Sequence, residues 1–164
     1  MLDMKRASTI FLQIVIVMAA IGILTFLIVE PNLEGRNVNS TLFEVYLKDP
    51  FLAYIYLGSV AVFVGLYQMF KLLGYVRNDR VFSPQAVKAL RTVKYCGAIF
   101  IAFMLGALGY IFISQRGSGE DIAGGVAMGV FVIFATAVIA AAAAMFERVL
   151  QNAVDIKSEN DLTI

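Results

Sequence analysis

The chain contains no histidine and a single cysteine, Cys96. Without histidine it lacks the commonest general base and metal ligand of proteins. One cysteine can form neither an internal disulfide nor a cysteine metal cluster. The sequence also has no Walker loop, and its acidic residues are scattered through the hydrophilic connections. We therefore expect a protein that is not an enzyme and that carries no cofactor and no metal.

Proline is scarce, and its three positions are informative. Pro31 follows one apolar segment, Pro50 opens the next, and Pro84 precedes a third. A proline inside a helix kinks or breaks it, and many transporters use such interrupted helices at the substrate site. Since no proline lies inside an apolar segment, the sequence predicts continuous helices.

Charged residues are absent from four long windows, 7–29, 50–70, 95–115 and 122–146. Each window has the roughly 20 apolar residues that an α-helix needs to cross a bilayer core of about 30 Å. In lipid the backbone must satisfy its own hydrogen bonds, and runs of this length do so as helices. The first window is too long for the apolar core of a signal peptide, so we expect it to be retained. The sequence predicts an all-α polytopic membrane protein built as a bundle of four transmembrane helices.

The distribution of basic residues predicts the orientation. Ten of the 13 lysines and arginines fall on one side of the predicted membrane and three on the other. The positive-inside rule then places both termini and the second connection in the cytoplasm. The predicted segments of this single membrane domain are spans at about 7–29, 50–73, 92–115 and 122–146, an outer connection 30–49, a basic cytoplasmic connection 74–91 and a cytoplasmic tail 147–164.

Helix boundaries can be read in the second connection. Gly74 is expected to cap the C-terminus of the second helix, and Ser83 to cap the N-terminus of the third, with Pro84 at its first position. Phe82 and Val87 are spaced to form a hydrophobic staple across that start. In the outer connection, a capping-box pattern at residues 41–44 predicts a short surface helix.

Three basic residues at three-residue steps, Lys88, Arg91 and Lys94, form what we call the basic collar. We favour contact with anionic lipid, worth about 1 kcal/mol per charge near the surface. The alternative is a docking site for a protein. No DNA-binding module accompanies these charges, so we expect no direct binding to nucleic acid.

Small residues recur at spacings that let helix backbones approach closely. We expect them to pack within the bundle, and a homo-oligomer formed through one remaining face is the alternative. Gln13 and Gln68 both lie toward the cytoplasmic ends of their spans, where a hydrogen bond could join the two helices. The predicted packing residues are Ala61, Gly65, Ala98, Ala102, Gly106, Gly125 and Gly129.

Several short motifs carry a family resemblance: Phe70-Lys71-Leu72-Leu73, Phe82-Ser83-Pro84, Lys88-Ala89-Leu90-Arg91, and the closing segment 158–164. With them the chain resembles a prokaryotic family of small four-span membrane proteins, catalogued as domain of unknown function twenty-nine seventy-five. The resemblance implies a plasma-membrane location and no established activity. It also implies a gene neighbourhood that often encodes a small helix-turn-helix DNA-binding regulator.

From this resemblance we derive candidate partner-binding residues on two cytoplasmic segments. The tail alternates polar and apolar residues and is suited to strand pairing with a partner. The candidates are Phe82, Ser83, Lys88, Arg91 and Lys94 around the collar, and Glu159, Asp161 and Leu162 in the tail.

The leading hypothesis is a non-enzymatic integral membrane protein that binds a cytoplasmic partner, in particular a small helix-turn-helix transcription regulator. Two alternatives stay open. One is a small permease or oligomeric channel, and the other is an accessory or immunity-type subunit that docks on another protein inside the membrane. The lipid bilayer is the partner common to all three.

Overall fold

The computed structural model describes residues 2–33, 49–114 and 123–161. These residues form four α-helices: α1 (Leu2–Leu33), α2 (Pro50–Arg77), α3 (Pro84–Ser114) and α4 (Ala123–Asp161). All four are long and apolar enough to cross a membrane. The prediction of an all-α protein with four transmembrane helices is confirmed. The cytoplasmic placement of the termini stays a prediction, and the predicted short helix of the outer connection lies outside the described residues.

Two of the helix starts follow from local capping. The Asp49 carboxylate accepts hydrogen bonds from the backbone N–H groups of Phe51 and Leu52, at 3.0 and 3.3 Å, and Pro50 occupies the first helical position. In α3, the Ser83 hydroxyl accepts from the Ala86 N–H at 3.3 Å. Both caps satisfy backbone donors that have no partner within the helix. The predicted start of the third helix at Ser83 and Pro84 is confirmed.

The predicted end of the second helix at Gly74 is wrong. Helix α2 continues to Arg77, and Asp79 then adopts a left-handed backbone with φ of 54°. The Arg80 N–H donates back to the Tyr75 carbonyl at 2.9 Å. This is the pattern of a Schellman cap, in which an aspartate takes the place that glycine usually occupies. The connection between α2 and α3 is correspondingly short and tightly hydrogen-bonded.

The helices pack in chain order, α1 on α2, α2 on α3 and α3 on α4. Each neighbouring pair is antiparallel, as side-chain contacts at both ends show. The Gln13 amide of α1 donates to the Phe70 carbonyl of α2 at 3.2 Å, while at the other end the Tyr56 hydroxyl donates to the Leu27 carbonyl at 3.0 Å. Among the described residues, α1 packs substantially on α2 alone. This contact is less extensive than that of α2 with α3 or of α3 with α4.

The buried core lies at one end of the molecule. We call this the basic end; it is where α1 and α3 begin and α2 and α4 end. Its core joins the first turns of α3 to α4, with residues from α2 and from the turn before α3 packed against it. The core residues are Ala86, Val87, Leu90, Val93, Ala143 and Leu150, and Met69, Leu72, Tyr75, Val81 and Val154 pack around them.

Helix α4 extends beyond that core. It runs on from Val154 to Asp161, about two further turns. The tail residues 158–161 are therefore helical, and the prediction that they suit strand pairing is wrong for them. Continuous helical spacing, with Leu150 and Val154 on the face toward α3, carries the helix past the predicted span.

Candidate partner-binding surface

The basic collar is partly neutralised from within the chain. Glu147, on α4, accepts a hydrogen bond from Arg91 Nε and another from Lys94 Nζ, both at 2.6 Å. The Glu147 side chain is 10% exposed, whereas those of Arg91 and Lys94 are 52% and 31% exposed. Glu147 lies just past the charge-free window, and hydrogen bonds from Lys94 and then Arg91 hold the pKa of its carboxyl below the ordinary value. The three side chains form an ion-paired clamp between α3 and α4.

Because of this clamp, less of the collar's positive charge is available to an external partner. Arg91 and Lys94 hold α4 against α3, so part of their charge stabilises the chain itself. The ring of Tyr95 also lies 5.0 Å from Lys94 Nζ, a cation–π contact. Lys88, one turn earlier on α3, is exposed. Since Arg91 and Lys94 are paired with Glu147, Lys88 is the collar residue whose charge is most available to an external partner.

The turn before α3 presents an exposed aromatic side chain. Phe82 is 58% exposed, although its sequence neighbours are well ordered by hydrogen bonds. The Ser83 hydroxyl donates to the Arg80 carbonyl at 2.7 Å while capping α3. Val81, on the other side of Phe82, packs against the buried core. The turn is therefore anchored on both sides of Phe82, and the phenyl ring is held out from a fixed backbone.

The tail candidates lie farther along the same end. Glu159 is exposed in the final turns of α4, and Asp161 ends the helix. Leu162 lies outside the described residues. The structure thus brings the described candidates to one end of the molecule, in the turn before α3, on α3 and on α4.

The predicted packing residues divide into contacting and outward-facing sets. A Cβ added at Gly129 would lie 2.7 Å from Leu108, and one at Gly65 would lie 3.5 Å from the Cys96 Cβ. At Gly106 it would meet the Tyr54 hydroxyl. Ala61 lines a groove of about 130 Å³ between α2, α3 and α4. By contrast, Ala98 and Ala102 are exposed, and Gly125 has no neighbour within 4 Å.

Two close contacts were not predicted from the sequence. A Cβ at Gly97 would lie 2.9 Å from the Ala140 Cβ, and one at Gly58 would lie 3.0 Å from Phe103. Gly97 precedes Ala98 by one position, which is a rotation of about 100° around the helix. The four-residue spacing in α3 selected the contacting Gly106 together with the exposed Ala98 and Ala102, because spacing alone does not say which face meets a neighbour.

Polar side chains within the spans bond to backbone carbonyls. The hydroxyls of Thr25, Ser59 and Thr136 donate to the carbonyls of Ile21, Tyr56 and Val132, at 2.8, 2.7 and 2.8 Å. The Gln13 amide reaches α2 as expected, but it bonds to the Phe70 carbonyl. Their hydrogen bonds therefore stay within one helix or join two adjacent helices. No group of three or more His, Cys, Asp or Glu side chains able to hold a metal occurs within the described ranges.

Four apolar spanning helices, packed as sequential antiparallel hairpins, define an integral membrane protein. Residues 39–164 match the family model described as protein of unknown function (DUF2975), and the chain belongs to this family. It is also 37% identical over 164 residues to the uncharacterized membrane protein YoaS of Bacillus subtilis (strain 168), a match covering 98% of this chain and 100% of that protein. No solved structure matches the chain.

Proposed function

We propose that this protein is a non-enzymatic membrane protein that binds a cytoplasmic protein through its basic end, with both termini in the cytoplasm. The single observation that carries the proposal is Phe82, a 58% exposed aromatic ring on an anchored turn. Aromatic residues held by a rigid scaffold are typical anchors of protein interfaces, because little conformational entropy is lost when they are buried. A small DNA-binding regulator is the partner that the family's gene neighbourhood favours.

The surroundings of Phe82 support this proposal. Beneath the turn, the core residues Ala86, Val87 and Leu90 are each under 9% exposed. Lys88 is exposed in the first turns of α3 and adds positive charge to the same end of the molecule. A rigid apolar anchor at an end that also carries an exposed basic residue suits a partner surface that combines an apolar pocket with acidic residues.

The proposal is tested by purifying the full chain in nanodiscs from native membranes and identifying stoichiometric soluble partners by mass spectrometry. Phe82→Ser combined with Lys88→Gln should remove the partner, since both changes are on exposed side chains and leave the core intact. Ile113→Ser is the matched control, because Ile113 is 79% exposed at the opposite end of α3. Retention of the same partner by the double variant would contradict the proposal.

A second candidate is supported by the outward face of α3. Ala98 and Ala102 are exposed within the span, and Gly109 on the same helix has no neighbour within 4 Å. Small residues of this kind allow a helix of another subunit to approach closely. Ala102→Leu should then dissociate a membrane complex without lowering the melting temperature of this chain. A complex that survives Ala102→Leu would argue against the subunit role.

A further inference from the structure

An elongated groove follows the seam between α1 and α2. Its outer part, about 360 Å³, lies at the basic end and is lined by Ile10, Ile14, Met18 and Arg77 among others. Its inner part, about 300 Å³, is lined by Phe63, Leu66 and Tyr67 among others. The two parts share Val17 and Phe70. The two parts therefore adjoin at these residues, one toward the helix end and the other in the apolar region.

The groove is open because of how α1 is packed. Among the described residues, α1 packs substantially against α2 alone, so no third helix covers the seam. The Gln13 amide ties α1 to the Phe70 carbonyl from within the groove and keeps the two helices at a fixed separation there. The groove therefore results from the order in which the helices pack.

The groove has an apolar floor and a cationic mouth. Arg77, the last residue of α2, is the charged residue that lines it. Lys71 lies nearby on α2, with its Nζ 5.6 Å from the centre of the Tyr67 ring, and Tyr67 lines the inner part. A guanidinium donates paired hydrogen bonds to phosphate oxygens, and its geometry suits that anion. The charge of the mouth therefore complements an anionic headgroup.

The length of the groove also fits a lipid. From Arg77 to Phe63 along α2 the groove spans about 21 Å at 1.5 Å per residue. One leaflet with its headgroup region is about half of a bilayer of about 40–45 Å, which is close to this length. A headgroup placed at Arg77 would thus let one acyl chain lie along Ile14, Val17 and Phe70 as far as the inner part. We propose that this groove binds one anionic phospholipid as a specific site.

Lipid binding is measured on the full-length protein in detergent by native mass spectrometry. Phosphatidylglycerol is compared with phosphatidylcholine of the same acyl chains. We expect one phosphatidylglycerol molecule to bind in preference to phosphatidylcholine. Arg77→Gln should weaken phosphatidylglycerol binding by about tenfold, the loss expected for one charge-assisted contact. Arg80→Gln is the control, because Arg80 is exposed on the following turn and does not line the groove.

A second variant separates the groove from general lipid contact. Val17→Trp fills the point that the two parts share, and it should reduce bound phosphatidylglycerol with Arg77 still present. Equal binding of the two lipids, or unchanged binding by either variant, would overturn the proposal and leave ordinary annular lipid. A dimer that Val17→Trp converts to monomer would also overturn it, because a second copy would then occupy the groove.

Discussion

The contact between Gly97 of α3 and Ala140 of α4 provides a sharp test of the packing. A Cβ at position 97 would lie 2.9 Å from the Ala140 Cβ, whereas ordinary contact begins at 3.4 Å. Ala140 has no side-chain torsion that could move its methyl group away. Gly97→Ala therefore requires α3 and α4 to move apart by about 0.5–1 Å, a distortion typical of overpacked interiors.

The expected magnitude is the difference between two effects. Overpacking costs about 1–3 kcal/mol, while replacing a glycine inside a helix with alanine gains about 1 kcal/mol. We expect Gly97→Ala to destabilise the protein by about 1 kcal/mol, which corresponds to a fall of about 2–4 °C in the melting temperature. Gly109→Ala is the matched control, because nothing lies within 4 Å of an added Cβ there and the helix gain stands alone.

The assay uses the single cysteine as its reporter. Cys96 is 9% exposed, so a thiol-reactive fluorescent dye labels it when the helices separate. The melting temperature is measured in detergent for Gly97→Ala, for Ala140→Gly and for both together. The double variant moves one methyl group from α4 to α3 and should be more stable than either single variant. A Gly97→Ala protein that gains as much stability as Gly109→Ala would refute the close approach of these helices.

Three further outcomes are expected from the same unfolding assay. Gly106→Ala should displace the Tyr54 hydroxyl from its hydrogen bond to the Phe103 carbonyl of α3 and lower the stability by about 1 kcal/mol. In a Tyr54→Phe background, which lacks this hydrogen bond, the cost should vanish. Glu147→Gln should lower stability. The effect should be constant well above the ordinary pKa of a carboxyl group and should shrink as the pH falls through the lowered folded-state pKa of Glu147; a pH-independent effect would contradict an ionised Glu147. Gln13→Leu should loosen α1, costing about 1 kcal/mol or less, and an unchanged melting temperature would show that its hydrogen bond to Phe70 contributes nothing.

Local features of the sequence predicted some boundaries and missed others. Ser83 and Pro84 predicted the start of α3 correctly, because a cap depends on residues within one turn. Gly74 failed as the end of α2 because Leu72 and Tyr75 pack on the buried core and the helix continues through them. The left-handed position then fell on Asp79, a residue type that adopts this conformation more readily than most.

The candidate partner-binding surface was likewise predicted from local sequence features only in part. The collar residues were identified from charge and spacing, but their pairing with Glu147 joins positions 56 and 53 residues apart and has no local signature. Phe82 was predicted to form a staple with Val87; the structure buries Val87 and leaves Phe82 exposed, while Val81 packs on the core. Which neighbour of a turn is buried depends on the helix beneath it.

The amino-acid sequence by itself determined that this is a membrane protein with four spanning helices. That conclusion needs only the length of each apolar run and the requirement that a backbone in lipid satisfy its own hydrogen bonds, and both are local properties. The tertiary structure alone decided which faces meet: Gly97 against Ala140, Glu147 between Arg91 and Lys94, and the open seam beside α1. These contacts depend on the rotation and depth at which two helices pack. Neither quantity is encoded in the spacing of residues along one helix.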